Sequence, residues 1–429
     1  MIGLHVTTLG CKLNQFDSAS LSGALRGRAA LVDDPSQASL VVVNTCTVTQ
    51  AADSDARQIL RRRRRESPRA LIVATGCYAE RDPAALASLP EVDLVLRREE
   101  RERASEIIMA HIRVRFPEEA ADGCADRVVE ETLPDFGHRS RAYLRVQEGC
   151  DLRCSYCIIP RVRGASRSTP PDLVVGRFRA LLDTGFKEIV LTGVNTGDYG
   201  KDLEPRTVLT DLLARLARIE GEFVIRLNSV EPRCVTPQLI DLLATEPKLA
   251  RHLQVPLQSG SDGTLRRMRR NYRVADYART MESLRSRVPD IGLGADVIVG
   301  FPGESEEEFL ETARFVRAAP LNYLHVFSYS RRPGTDADRY PTQISSGTIA
   351  RRSQTLRTAG REIARAFRAS QRGRPLTALV MRGRRKDGRL RALTSNFIEA
   401  ALDDEAPENS FARIRLTEVG DDDTRAICL

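Results

Sequence analysis

The sequence lacks the features that would place the chain in a membrane or outside the cell. Its longest apolar runs have the length of one buried strand, such as "SLVVVN" at 39–44, whereas a membrane-spanning helix needs about 20 apolar residues. Its start, "MIGLHVTTLG", has neither the basic and apolar segments nor the small-residue cleavage site of a secretory leader. We therefore expect a cytoplasmic protein that does not associate with membranes.

Lysine is also scarce, because only five of the 66 basic residues are lysines and the others are arginines. Arginine binds phosphate in a bidentate manner, and the net charge of +8 indicates a polyanionic partner. A GC-rich genome would produce the same ratio of arginine to lysine, so the positions of the charges are more informative. A hydrophobic content of 41% over 429 residues is typical of a globular protein of two or three domains.

Strands and helices alternate in the first 112 residues, which predicts an α/β domain with a doubly wound parallel sheet. The predicted strands are 3–8, 40–44 and 71–74, and the helices that follow them are 17–28, 51–66 and 82–89. An acidic stretch at 113–135 is predicted to be a linker, because seven acidic residues and one arginine lie between 117 and 135.

Two further domains are predicted after the linker. In residues 136–370, six strands separated by helical stretches indicate an open, partial (β/α)6 barrel. These strands are 142–147, 188–192, 223–229, 252–257, 292–299 and 323–329. Residues 371–429 contain short alternating runs at 376–383, 389–402 and 411–420, which predict a small antiparallel β-barrel.

A group of three cysteines, here called the local triplet, lacks a fourth member. Cys150, Cys154 and Cys157 follow the first predicted barrel strand, at the edge where such barrels carry their chemistry. In a cytosolic chain, clustered thiols favour metal binding over disulfides, and they select iron–sulfur clusters, zinc or copper. A 4Fe–4S cube normally takes four thiolates, so three would leave one iron open. A zinc knuckle completed by a distant residue is the alternative.

Three other cysteines, here called the dispersed triplet, each follow a predicted strand of the first domain. Cys11 comes after "VTTLG", Cys46 after "VVVNT" and Cys77 after "LIVATG". Because the carboxyl ends of parallel strands share one edge of a sheet, we expect the three to converge on a shared metal site. The alternative is that they are ordinary buried thiols. The remaining cysteines are interpreted as incidental: Cys124, Cys234 and Cys428.

Several motifs resemble those of one enzyme family. "GCDLRCSYC" (149–157) is similar to the CxxxCxxC signature of radical S-adenosylmethionine (SAM) enzymes. The continuation "IIPRVRG" with "SRS", and the stretches "LQSGSDGTLRRMRRNY" (257–272) and "VIVGFPGESEEEF" (297–309), resemble the methylthiotransferase branch. The dispersed triplet resembles the cluster-binding N-terminal domain of that branch, and the final segment resembles its RNA-binding TRAM barrel.

This resemblance implies two 4Fe–4S clusters and SAM as cofactors, and it makes all six cysteines catalytic. The local triplet would hold the cluster whose open iron binds the amino and carboxylate groups of SAM. The dispersed triplet would hold the second cluster, which delivers the sulfur. A deoxyadenosyl radical would abstract hydrogen from C2 of an adenine, and a second SAM would supply the methyl group.

Within the branch, "GCKLNQ" (10–15) and "NTCTVT" (44–49) are most similar to bacterial enzymes that methylthiolate N6-threonylcarbamoyladenosine next to the anticodon of tRNA. Methylthiolation of isopentenyladenosine in tRNA, or of a ribosomal-protein aspartate, is the alternative. Gln254 stands where a histidine is common, and Thr169 where an arginine is frequent. The sequence does not decide whether these departures change the substrate, nor which tRNA species is modified.

The resemblance also implies contacts to SAM or substrate at the strand ends, although each residue could equally belong to an ordinary turn or to packing. The stretch "LTGVNTG" (191–197) lies where this superfamily contacts the methionine amino group. The residues assigned to cofactor binding are Tyr156, Thr192, Gly193, Asn195, Gln258, Ser259 and Gly303.

Charge placement supports RNA as a partner. Residues 371–391 carry a net charge of +7, whereas residues 392–429 carry −6, which predicts a barrel with one basic edge. Phe397 offers a stacking surface for a base, or it is a core residue. Beyond tRNA and SAM, we expect a flavodoxin-like electron donor, a sulfur donor and a monomeric chain. A non-catalytic, zinc-containing RNA-binding protein is the alternative of a different class.

Overall fold

The computed structural model describes residues 2–118, 133–137, 139–421 and 423–429. Most of the predicted acidic linker, together with Cys124, lies outside these described residues. Within them, no helix combines the length and the apolar character needed to cross a bilayer.

The first part of the chain forms a five-stranded parallel sheet with the order β2-β1-β3-β4-β5, which confirms the predicted doubly wound domain. Its strands β1 to β5 are, in chain order, Ile2–Thr8, Ala29–Leu31, Leu40–Thr45, Leu71–Gly76 and Leu94–Val95. Its helices α1 to α5 are Lys12–Ala24, Gln50–Glu66, Cys77–Arg81, Pro83–Ala87 and Ala104–Arg115. Two 3₁₀ helices occupy Pro35–Gln37 and Arg98–Arg103.

Two features of this domain differ from the prediction. Strands β2 and β5 contain three and two residues, which is too short to produce a recognisable apolar pattern. Helix α1 begins at Lys12 rather than at residue 17, and its first turn buries Leu13 and Phe16. Cys11 precedes this helix and makes no side-chain capping hydrogen bond. The sequence therefore offers no capping residue there that would predict where the helix begins.

The central part contains six parallel strands in the order β6-β9-β10-β11-β12-β13, which confirms the open barrel. Two three-stranded sheets are joined by isolated bridges from Ile225 to Leu249 and from Ser229 to Gln254. Strand β6 is Arg141–Arg145, and strands β9 to β13 are Glu188–Thr192, Val224–Leu227, His252–Gln254, Gly292–Val299 and Tyr323–Ser328. A short antiparallel pair, β7 (Gln147–Glu148) and β8 (Arg167–Ser168), frames the loop that carries the local triplet.

Helices follow the strands of this barrel. They are α6 to α12: Ile159–Arg163, Pro171–Asp183, Leu209–Ala217, Pro237–Thr245, Asp262–Arg267, Val274–Arg287 and Glu306–Ala318. Further 3₁₀ turns are Thr196–Asp198, Pro232–Cys234 and Ala337–Arg339. Alternate strand residues such as Ile189 and Leu191 pack outward against Phe178 and Leu181 of α7. The residues that alternate with them along the strands, such as Glu188, consequently face the barrel interior.

The last part is a closed five-stranded barrel that follows a 25-residue helix, α13 (Ser346–Ser370). Its strands β14 to β18 are Pro375–Arg384, Leu390–Thr394, Glu399–Leu402, Ser410–Val419 and Thr424–Cys428. The prediction of an antiparallel barrel is right for four of the five pairs, whereas β16 and β18 pair in parallel. Strand β18 was not predicted, and it supplies the pairing that closes the barrel.

Phe397 lies where this C-terminal barrel meets the central domain. Its ring centroid is 4.2 Å from that of His252, and the Arg226 guanidinium lies 5.2 Å from its centre. Arg226 also donates hydrogen bonds to the carbonyl oxygens of Thr394 and Ser395. Phe397 is thus a packing residue of this junction.

Candidate functional site

The sheet brings the dispersed triplet to one edge. Cys11, Cys46 and Cys77 follow β1, β3 and β4, which are neighbours in the sheet. Cys46 and Cys77 are buried, and Cys11 is exposed. A Cβ atom built on Gly10 would lie 3.0 Å from the Cys46 sulfur, so the first two loops touch. The convergence is as predicted, and metal binding by these residues stays a prediction.

The thiols of the dispersed triplet influence one another electrostatically. Burial raises the pKa of Cys77 to about 11; the Arg163 guanidinium opposes this rise, and Cys11 and Cys46 add to it. Burial also raises the pKa of Cys46, and Cys11 contributes to that shift. A bound metal would reverse the preference for the neutral thiol, because its positive charge stabilises thiolates.

The local triplet lies on a loop that its own backbone holds in place. Gly149 has φ +73°, and a Cβ atom there would lie 1.9 Å from the carbonyl oxygen of Ala165, so no other residue fits. The Cys150 amide donates to the Gly164 carbonyl oxygen at 3.0 Å. Burial raises the pKa of Cys150 to about 11 and that of Cys157 to about 12, and the neighbouring Cys154 raises both further.

Arg270 supplies positive charge to this loop. Its Nη1 atom donates to the Cys154 sulfur at 3.1 Å, and its side chain is only 2% exposed. Glu231 forms an ion pair with the same guanidinium, which also lies 5.0 Å from the centre of the Tyr272 ring. Arg270 therefore places a buried positive charge directly beside a sulfur of the local triplet.

Among residues 2–118, 133–137, 139–421 and 423–429, no group of three or more His, Cys, Asp and Glu side chains is arranged to hold a single metal ion. A 4Fe–4S cube requires a different arrangement from a single metal ion, because each thiolate binds a different iron atom of the cube.

The two triplets face each other across the boundary between the first two domains. Cys77 packs against Ile158, which directly follows the local triplet, and against Val162 of α6. Arg163, at the end of α6, is 3% exposed and donates to Asn14 Oδ1 at 2.6 Å, three residues after Cys11. The two cysteine groups therefore belong to one continuous site.

Arg163 is part of a buried ionic network that fastens this boundary. It forms ion pairs with Glu148 at 2.9 Å and with Asp17 at 3.1 Å. Burial would raise the pKa of Glu148, but the guanidinium groups of Arg101 and Arg145 lower it to about 2. Carboxylates and guanidinium groups from both domains thus compensate one another inside the junction.

A cavity of about 230 Å³ opens beside both groups. Tyr156 and Cys157 of the local triplet loop form one wall, and Val48 and Thr49, which follow Cys46, form another. Gln258 and the barrel strands β12 and β13 complete the lining. Tyr156 packs edge-to-face on Phe301 at 6.4 Å, consistent with a wall of the cavity. This is a suitable position for a substrate, because the cavity borders Cys157 directly and the segment that follows Cys46.

The predicted SAM-contacting residues after β9 are buried at the top of the barrel. Thr192 and Asn195 are 0% and 3% exposed, and the Asn195 side chain donates to Asp198 at 2.6 Å. Gly193 is required by close approach, because a Cβ atom would lie 2.9 Å from Gln147 Oε1. Their contact with SAM stays a prediction.

The other predicted contacts separate into two groups. Gln258 lines the cavity and has φ +65°, which turns its backbone back onto Asp296 and Ile298. The Ser259 hydroxyl instead lies 3.2 Å from that of Thr312 on α12. Gly303 turns toward Thr342, whose carbonyl oxygen accepts from its amide. Ser259 and Gly303 thus point away from the cavity, and their role as SAM contacts stays a prediction.

Polar residues that the sequence did not single out lie around Gln254 inside the barrel. Gln254 donates to Asp296 at 2.5 Å and lies 3.0 Å from His325. Lys12 donates to Asn228 Oδ1 at 2.7 Å. Burial lowers the pKa of Lys12 to about 8, and nearby arginines add to this shift. Asp296 and His325 lie on β12 and β13, where strand alternation is a local signal, whereas nothing in the sequence near Lys12 predicted that it reaches the barrel.

The predicted basic edge of the C-terminal barrel is partly neutralised by folding. Several of its basic residues pair with the acidic half of the same barrel. These pairs are Arg384–Glu405, Arg385–Asp423, Arg389–Asp403, Arg389–Asp423 and Arg391–Glu399. The separation of charge along the sequence is therefore greater than its separation on the surface.

Comparison with known families matches the two parts of the site separately. Residues 144–316 match the radical SAM superfamily, and residues 3–97 match the uncharacterized protein family UPF0004. The radical SAM family implies a 4Fe–4S cluster and SAM.

Two curated relatives cover most of the chain. The threonylcarbamoyladenosine tRNA methylthiotransferase MtaB of Bacillus subtilis (strain 168) is 39% identical over 85% of this chain and 81% of its own length. The ribosomal protein uS12 methylthiotransferase RimO of Desulforudis audaxviator (strain MP104C) is 36% identical over 99% and 96%. Among solved structures, the radical SAM methyltransferase TsrM from Kitasatospora setae, which carries cobalamin and a [4Fe-4S] cluster, is similar in fold, with a TM-score of 0.57. It has 17% identity and covers 78% of this chain and 77% of its own.

Proposed function

We propose that this chain, which belongs to the radical SAM methylthiotransferase family, transfers a methylthio group to C2 of N6-threonylcarbamoyladenosine next to the anticodon of tRNA. The observation that carries the proposal is the cavity that is lined both by Cys157 of one triplet and by Val48, two residues after Cys46 of the other. A base placed there would lie between the two sites. The identity to MtaB supports the choice of base.

We assign the local triplet to the SAM-binding cluster and the dispersed triplet to a second 4Fe–4S cluster. Both donor sets fit, because each offers three soft thiolates and leaves a fourth position open. When bound, the first cluster and SAM supply the electron and the radical, and the second cluster supplies the sulfur. The six residues that would hold these groups are Cys150, Cys154, Cys157, Cys11, Cys46 and Cys77.

The protein's own side chains then bind, orient and shield. Arg270 orients the Cys154 side chain through its 3.1 Å hydrogen bond to the sulfur. The buried Arg163 fixes the distance between the two triplets, because it contacts residues on both sides of the boundary. Ile158 and Val162 exclude water from the Cys77 side of the site.

The proposal also assigns a role to each domain and names the partners of the chain. Residues 1–112 would hold the second cluster, 136–370 the radical chemistry, and 371–429 would bind tRNA as a TRAM-like barrel. The chain would work as a cytoplasmic monomer, supplied by a flavodoxin-like electron donor and a separate sulfur donor.

Nucleoside analysis tests the proposal. The anaerobically reconstituted chain is incubated with SAM, a reductant and tRNA that carries threonylcarbamoyladenosine, and the digested RNA is analysed by mass spectrometry. We expect the methylthio derivative of that nucleoside, and none from tRNA that carries isopentenyladenosine. A product only on the latter RNA would refute the choice of base.

A second candidate follows from the match to RimO, which extends over 99% of this chain and so includes the C-terminal barrel. Incubation with ribosomal protein uS12 in place of tRNA tests it by the mass of the protein. A colourless chain that contains zinc and gives no product in either reaction would instead support the non-catalytic RNA-binding protein.

A further inference from the structure

Lys12 belongs to the N-terminal domain but extends into the interior of the central barrel. It is the first residue of α1 and directly follows Cys11. Its ammonium nitrogen donates to Asn228 Oδ1, which is 216 residues away and follows β10. Its other electrostatic neighbours are inward-facing residues of four barrel strands: Arg141, Glu188, Arg226 and Asp296.

Over the part of the chain that the structure describes, the Lys12 ammonium group forms no ion pair, and its hydrogen bond is to a neutral amide. A cation held in a largely buried position without an anion is costly, unless an anion binds there in the functional complex.

Both carboxylates that face Lys12 are already engaged. Glu188 accepts from Arg226 at 2.9 Å and from Arg141 at 2.6 Å. Asp296 accepts from Gln254 at 2.5 Å and lies 3.2 Å from His325 Nδ1. An anion that enters the barrel would therefore find Lys12 as an available cation, with the Asn228 amide beside it.

Asp296 connects this interior to the cavity beside the local triplet, because it lines that cavity and is also a neighbour of Lys12. An adenine bound in the cavity has this interior beside it as space for its N6 substituent. In the proposed substrate this substituent ends in a threonine carboxylate, which is ionised at neutral pH.

We propose that Lys12 binds the carboxylate of the threonylcarbamoyl group and so selects the modified adenosine from other adenosines. The inference rests on the proposed function and names the residue that reads the substituent. An ammonium–carboxylate hydrogen bond in a desolvated site discriminates strongly against a neutral analogue, because the unpaired cation remains behind.

The test compares two anticodon stem–loop RNAs that differ in one group. One carries threonylcarbamoyladenosine, and in the other the threonine carboxylate is replaced by the neutral carboxamide. Fluorescence anisotropy measures the Kd of each RNA for the reconstituted protein, and mass spectrometry measures turnover. We expect the wild type to bind the carboxylate RNA about tenfold more tightly or better. Lys12→Gln should bind both RNAs equally, and Lys12→Arg should retain most of the preference.

Controls separate recognition from damage to the neighbouring cluster site. Lys187→Gln removes a lysine that lies 3.7 Å from Glu222 at the base of the barrel, and it should retain the wild-type preference. Iron content and SAM cleavage of Lys12→Gln are measured as well, so that damage to a neighbouring cluster is detected separately. Because binding is measured apart from turnover, a variant with an impaired cluster still reports on recognition.

The remaining outcomes contradict the role of Lys12, the identity of the anion that it binds, or the proposed function. A wild type that binds both RNAs equally refutes the role of Lys12, whatever the turnover. A preference that persists in Lys12→Gln does the same. An equal loss for both RNAs would identify an RNA phosphate as the anion, and a raised Kd for SAM alone would identify its carboxylate. A preference for the carboxylate RNA without any methylthio product would refute the proposed function and leave the recognition intact.

Discussion

The two cysteine triplets differ in how the chain builds them. The local triplet lies within eight residues on one loop, whose shape is held by Gly149 and by hydrogen bonds to its own neighbourhood. The dispersed triplet is spread over 67 residues and is assembled by three neighbouring strands of a parallel sheet. A loop motif can be transferred between folds, whereas a site at a sheet edge depends on the register of every strand that contributes to it.

The same contrast appears in the surroundings of each triplet. Arg270 donates directly to a sulfur of the local triplet. The dispersed triplet instead has Arg163 beside Cys77, and this residue comes from the central domain. The second site is thus completed by a residue from outside its own domain, which makes it sensitive to the junction.

The largest expected effect comes from removing either triplet. Wild type should contain about eight iron atoms per chain, because each cube holds four. The variant Cys150→Ala/Cys154→Ala/Cys157→Ala should keep about four and lose SAM cleavage. The variant Cys11→Ala/Cys46→Ala/Cys77→Ala should also keep about four, but it should still cleave SAM without forming a methylthio product.

Iron and sulfide analysis after anaerobic reconstitution checks this prediction. Wild type with about four irons, all lost in the first variant, would leave the sheet edge without a cluster. Cys234→Ala is the matched control, since Cys234 belongs to neither triplet, and it should retain the full iron content.

A smaller effect is expected at the junction between the triplets. Arg163→Met removes the buried guanidinium that pairs with Glu148 and Asp17, and it should cost about 3 kcal/mol because buried carboxylates lose a partner. The thermal unfolding midpoint of the apo protein measures the loss. Arg161→Met, two residues earlier and exposed, should change it little. Equal midpoints in the two variants would contradict the structural role of Arg163.

The smallest expected effect is a dependence of the protein's stability on pH, through the junction between the triplets. The pKa of Glu148 is lowered to about 2 in the folded protein, below its ordinary value near 4.3. A lowered pKa stabilises the fold above the unfolded value, and this contribution is lost as the pH falls from about 4.3 toward 2. The urea midpoint of wild type should therefore exceed that of Glu148→Gln at pH 7, and the difference should shrink below pH 4. A difference that is constant from pH 7 to pH 3 would contradict the assignment.

Much of the architecture could be predicted from local patterns. Apolar strands alternating with helices predict the parallel sheet and the open barrel, because strand burial and helix periodicity are written in short windows of sequence. The positions of the six cysteines at strand ends and in the CxxxCxxC loop follow from the same windows. The short edge strands β2 and β5, and the parallel pairing of β16 with β18, have no such local signal.

The sequence by itself thus determined which residues end the strands and which chemistry the thiols favour. Only the tertiary structure decided that Arg163 lies beside Cys77, that Lys12 reaches Asn228 inside the barrel, and that the basic and acidic halves of the last barrel pair with each other. The physical reason is distance along the chain. Backbone preferences act over a few residues, whereas the partner of a buried charge is chosen by packing between elements that are hundreds of residues apart.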